Sequence, residues 1–145
     1  MSGRMRGPSG ALRRDEDGSV LILALGYAAL AVVLVLVTID ASSLYLARKH
    51  ADTVADAAAL AATDGFTVVV DGGAASARLD PDAIGALARQ VVEATPDATL
   101  VSARSPDGLS ARVTVATTWH PPVSTLFVPA GVRIEATATS RTLLR

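Results

Sequence analysis

Cysteine is absent from the chain, which excludes disulfide staples and thiolate metal sites and leaves the redox compartment open. Aromatic residues are scarce: one Trp, two Tyr and two Phe make up 3% of the total. Half of the residues are nevertheless hydrophobic, so the apolar content is mostly Ala, Val and Leu. The net charge is −1, and nothing in that balance points to nucleic acid. There are two histidines. His50 stands among charges and His120 precedes Pro121-Pro122, and neither has the spacing of a zinc motif. No GxSxG, P-loop or GxGxxG is present. Ser42-Ser43 has no nearby base, and Asp71, Asp80 and Asp82 lack the DxDxDG spacing of a calcium loop. Turn and cap roles account for those three carboxylates. The sequence therefore gives no reason to expect catalysis, a cofactor, a metal or a small-molecule substrate.

What is present is one long uncharged run. From Ser19 to Ile39 the chain reads SVLILALGYAALAVVLVLVTI. As a helix at about 1.5 Å per residue it reaches roughly 32 Å, close to the ~30 Å hydrocarbon core of a bilayer. A signal-peptide apolar region is usually only about 7–15 residues, and no small-x-small cleavage site follows directly. The expectation is a retained membrane anchor. Arg4, Arg6, Arg13 and Arg14 precede the run, whereas Arg48 and Lys49 follow well beyond its end. The positive-inside rule counts Lys and Arg, so the N-terminus is expected in the cytoplasm and the remainder outside it. Residues 1–18 lack periodicity and read as a disordered cytoplasmic tail.

Helical character continues past the membrane. Asp40 to Thr63 contains no Pro or Gly, and Ala, the best helix former, dominates its second half. Residues 19–64 therefore read as one transmembrane and extended helix, closed by Asp64 with Gly65 as a left-handed cap. Ala51, Ala55, Ala58 and Ala62 form a stripe that lets another element approach closely. Two uses are open for it: a seat for the protein's own sheet, or a packing surface for neighbouring subunits. Arg48 and Asp52, four apart, can form a weak surface ion pair. Asp40 is a carboxylate at the outer edge of the apolar run, read as an interfacial cap or a contact for a partner's basic group.

The ordered features from Asp15 to Ala62 carry a resemblance. They are Asp17-Gly18-Ser19, the uncharged run, Asp40 at its end, Leu44 to Lys49 (LYLARK) and Asp56 to Ala61 (DAAALA). This region is similar to the N-terminal part of the TadG-like proteins, the Flp pilus-assembly TadE/G-like family. The resemblance implies a structural, pilin-like membrane component of bacterial Tad machinery, with other assembly or pilin-like subunits as partners. It departs from type IV-like prepilins, which are cut after a Gly ahead of the span and carry Glu five residues further. Here Gly18-Ser19 is the candidate processing site, but Leu23 stands where the Glu would be. The alternative function is a membrane-anchored extracytoplasmic binding module unrelated to pili.

Residues 65–145 read as a small extracytoplasmic α+β domain, whose thin core promises modest stability. Phe66 to Val70 is a short strand or extended connector. Asp80 is an N-cap with Pro81 at the first helical position, and Ile84, Leu87, Ala88, Val91 and Val92 make an apolar helical face. Three strands follow, Thr99 to Arg104, Leu109 to Trp119 and Val132 to Leu143, with a Ser105-Pro106-Asp107-Gly108 turn. Alternation puts Ala111, Val113, Val115, Ile134, Ala136 and Ala138 on the covered face, with Arg112, Thr114, Ala116, Arg133, Glu135 and Thr137 on the wet one. The expected layout is pilin-like: a long N-terminal helix, a small helix and a three-stranded antiparallel sheet. The loop from Val123 to Gly131 is apolar. Packing onto the sheet is the favoured expectation, with a partner contact and a patch on the membrane as alternatives.

Overall fold

The computed structural model describes residues 12–71 and 74–141, and of residues 12–17, 71 and 74–77 the backbone alone. The expected tail residues 1–11 and the expected strand end at residues 142–143 lie outside the described residues. Helix α1 runs Leu12–Ala62. It begins ahead of Ser19, because nothing between Leu12 and Gly18 is a Pro that would break it. The chain divides into two compact units, residues 1–39 and 40–145.

Residues 18–39 of the first unit are uncharged and uncovered. Leu21 and Ile22 are 70% and 74% exposed, and the other large side chains of the run are exposed with them. Its hydropathy and length are those of a helix able to cross a membrane.

The second unit is α+β. Strands β1 (Phe66–Asp71) and β2 (Ala74–Leu79) pair as an antiparallel hairpin, Phe66 opposite Leu79. Helix α2 (Pro81–Glu93) follows, then β3 (Ala98–Arg104), β4 (Ser110–Trp119) and β5 (Val132–Arg141). These three form an antiparallel sheet in the order β3-β4-β5. The α+β expectation holds, and β2 is an addition to it. AASARL carries small and polar residues without strand alternation, so only its pairing with β1 makes it a strand.

Local chemistry explains the element ends. The Asp80 carboxylate accepts from the Asp82 amide at 2.9 Å, as an N-cap should. Asp97 occupies the left-handed region (φ 61°), which aspartate tolerates, where the chain turns from α2 into β3. Gly65 departs from expectation, since it is not in the left-handed region. The end of α1 is closed instead by short-range bonds, Thr63 to Leu60 O and Asp64 to Ala61 O, both 3.1 Å. Gly65 sits in a crowded spot: a Cβ there would stand 3.0 Å from Ala83 Cβ, tighter than ordinary contact.

A single core serves the second unit. Ala51, Val54, Ala55, Ala58, Ala59 and Ala62 of α1 cluster with Ile84, Ala88 and Val92 of α2 and with Ala111, Val113, Val115, Ile134, Ala136 and Ala138 of the sheet. The predicted alternation holds along β5 and most of β4. Ala116 is the exception at 3% exposure. It stands between Thr99 and Glu135 in the sheet register. That face otherwise carries polar pairs, Arg112 with Thr139 and Thr114 with Thr137.

Candidate functional site at the end of the apolar run

Asp40 follows Ile39, the last residue of the apolar run, and sits half-buried in the second unit. Its Oδ1 accepts from the Val123 amide at 3.0 Å and its Oδ2 accepts from the Ser124 hydroxyl at 2.7 Å. One helical turn on, Ser43 Oγ accepts from Trp119 Nε1 at 3.1 Å. Both carboxylate oxygens are thus engaged by a loop more than eighty positions away. Charge-assisted bonds of this kind are stronger than neutral ones. Neutral donors satisfy Asp40, so in this arrangement it is a fastener for the 120–131 segment.

The loop it holds is internally ordered. Phe127 and Val128 amides both donate to Ser124 O, at 2.9 and 3.1 Å, and the Thr125 hydroxyl donates to Pro121 O. Gly131 closes the loop with φ 70°, and a Cβ there would stand 2.8 Å from Trp119 O and from Thr118 Cγ2. The favoured expectation of packing fails at the tip: Leu126 is 91% and Phe127 86% exposed. Pro121 is buried instead. The turn bonds point the two largest side chains away from the sheet, and nothing in a nine-residue apolar string fixes which of them turn inward.

The other candidate residues fall as follows. Ala51, Ala55, Ala58 and Ala62 are all 0% exposed and lie in the core with the sheet residues. Their side chains meet this chain's own interior. Gly18 and Ser19 lie exposed within α1, and Gly18 has open space around it. Arg48 and Asp52 form no ion pair, in keeping with the weaker basic-then-acidic order. His50 and His120 are exposed, and no group of three metal-ligating side chains occurs among the described residues. Sequence reasoning reached Asp40 but missed Ser43, Trp119, Val123 and Ser124 as its companions, and no local signal links them.

A second carboxylate organises the far end of the sheet. Asp107 Oδ1 accepts from the Leu109 amide, the Ser110 amide and the Ser110 hydroxyl at 3.0, 2.7 and 2.6 Å, and Oδ2 accepts from Arg141 at 3.1 Å. The Ser110 hydroxyl, then the backbone amides, then Arg141 hold its pKa far below the usual carboxylate range. This is a turn fastener by the same logic as Asp40.

The apolar run ending in a carboxylate, the continuous helix and the buried alanines together fit a known pattern. Residues 18–77 match the Flp pilus-assembly TadE/G-like family, Tad. No curated protein and no solved structure matches the chain. The Tad segment covers the apolar run, Asp40, Ser43, the four alanines and most of the β1–β2 hairpin. Gly18, Asp40, Leu44 to Lys49 and Asp56 to Ala61, which carry the resemblance, all lie within it. Tad is a pilus-assembly family, not an enzyme family. Trp119, Val123 and Ser124 lie beyond the Tad segment, so the fastener joins it to the strand-rich remainder of the second unit.

Proposed function

We propose that this protein is a single-pass, pilin-like structural component of a Tad pilus-assembly system, acting through protein–protein contacts and not through catalysis. The single observation that carries this reading is the Tad match over an uncharged, uncovered apolar helix. Residues 19–39 lie in the bilayer, the N-terminal arginines stay in the cytoplasm, and residues 40–145 form the extracytoplasmic part. Gly18-Ser19 is the candidate processing site, and Leu23 in the place of the early Glu of prepilins argues against cutting there.

Partner contacts use surfaces other than the alanine stripe. In the bilayer the small residues Gly26, Ala28, Ala29 and Ala31 offer a close-approach face to other helices. Outside it, exposed Val68 and Val70 of β1 and the edge strands β3 and β5 of the sheet offer contacts to other Tad-type subunits.

Topology and assembly test this reading together. A periplasm-active reporter fused after Arg145 is expected to be active and a cytoplasm-active one silent, while intact-mass analysis gives an unprocessed chain. Deletion of the gene is expected to abolish or reduce pili. A cytoplasmic C-terminus, or piliation unchanged by deletion, would overturn it.

A further inference from the structure

We propose that the Leu126–Phe127 turn is a second membrane contact, seated at the headgroup–acyl boundary of the leaflet in which the apolar run ends. The proposal rests on the reading that residues 19–39 span a bilayer.

Four observations converge on it. Among the described residues, the two side chains are the most exposed large apolar groups outside the span, at 91% and 86%. Exposure of this kind, on a loop held rigid by its own turn bonds, is a surface in search of an apolar phase. The loop is also tied to the chain just past the run. Ser124, two residues before Leu126, is hydrogen-bonded to Asp40, the residue directly after the last apolar residue of the run. Third, the segment from Pro121 to Val132 contains no charged residue, so no ionised group has to leave water when the turn is immersed. Fourth, three of the five aromatics stand on the segments joined near Asp40: Tyr45 is five residues beyond it on α1, Trp119 bonds to Ser43, and Phe127 is in the turn itself. Aromatic side chains concentrate at membrane–water boundaries, where a ring meets acyl chains while its polar edge stays hydrated.

A lipid surface fits the patch better than a protein does. A stable protein interface takes about 800 Å² from each partner, far more than two side chains supply. An acyl boundary accepts an isolated apolar pair without shape complementarity. Asp40, through its hold on Ser124, then sets the depth at which the turn meets the leaflet.

The absence of cysteine makes the test direct. Single-cysteine variants Leu126→Cys and Phe127→Cys of the full chain are labelled with a polarity-sensitive fluorophore and reconstituted in phosphatidylcholine–phosphatidylglycerol vesicles. Leu34→Cys in the apolar run and Glu93→Cys on α2 serve as references. Nitroxide lipids carrying the quencher near the headgroup or deep in the acyl region report position. The expected result is blue-shifted emission at 126 and 127, with shallow-quencher sensitivity several-fold above that at 93 and unchanged on tenfold dilution into lipid. Emission like that at 93 would overturn the proposal. So would a blue shift without lipid quenching that is lost on dilution, which would assign the turn to a second copy of the chain. Failure of the probe at 34 to respond to the deep quencher would instead overturn the spanning reading beneath it.

Discussion

Ser124 donates its hydroxyl to Asp40 across 84 positions of sequence, at 2.7 Å. The bond joins the residue that follows the apolar run to the loop that precedes the last strand. With the Val123 amide on the other oxygen, one carboxylate closes the fold at the point where the chain leaves its apolar run.

Asp40→Ala should free that loop. It removes two bonds to a charged acceptor and leaves the Val123 amide without its partner, at a cost of about 1–3 kcal/mol. Hydrogen exchange on the full chain in bilayers is expected to show faster exchange at Val123 and its neighbours, with α2 unaffected. Unchanged protection at Val123 would show that the loop is held by its own turns alone.

Two glycines should respond to alanine in opposite directions. Gly131→Ala meets backbone at 2.8 Å with φ 70°, and is expected to destabilise by about 1–3 kcal/mol. Gly85 lies inside α2 with open space around it. Gly85→Ala is expected to stabilise by roughly 0.5–1 kcal/mol through helix propensity. Thermal unfolding followed by the near-ultraviolet signal of Trp119 distinguishes them.

Enlarging the alanine stripe tests its interior role. Ala58→Leu inserts three carbons into a fully closed site and is expected to cost about 1–3 kcal/mol. Ala57→Leu, one residue away on the exposed side, should change little. If both behave alike in unfolding, the stripe does not seat the sheet.

Asp107 predicts acid sensitivity of a definite sign. Its folded pKa lies below the unfolded value of about 3.9. The stability it contributes is therefore fully present above that unfolded value and is lost as pH falls below it toward the folded one. Asp107→Asn is expected to lower the melting temperature at neutral pH, and the gap to the parent chain should close as pH drops below about 3.9. A gap constant down to acid would mean that the turn does not depend on the carboxylate's charge.

Much of this protein is legible along the chain. The uncharged run, the Asp80-Pro81 start of α2 and the alternation of β4 and β5 are local patterns, each set by a helical or strand period and a nearby cap. The boundaries differ from those expectations by only a few residues, except where α1 begins early at Leu12. Gly65 does mark the end of α1, but for a different reason than its cap preference suggests, since crowding by Ala83 is a contact with a later helix.

What local pattern could not supply was any pairing between distant segments. AASARL becomes a strand only against β1, and the alanine stripe becomes interior only because the sheet closes over it. The same holds for Leu126 and Phe127, whose exposure follows from turn bonds and from the hold of Asp40 on Ser124. The sequence by itself determined most of the stretches that are helical, extended or able to enter a membrane, because those depend on neighbours within a few residues. Only the tertiary structure decided which of their surfaces are used up inside the fold and which are left for lipid or partner, because that depends on where the rest of the chain comes to rest.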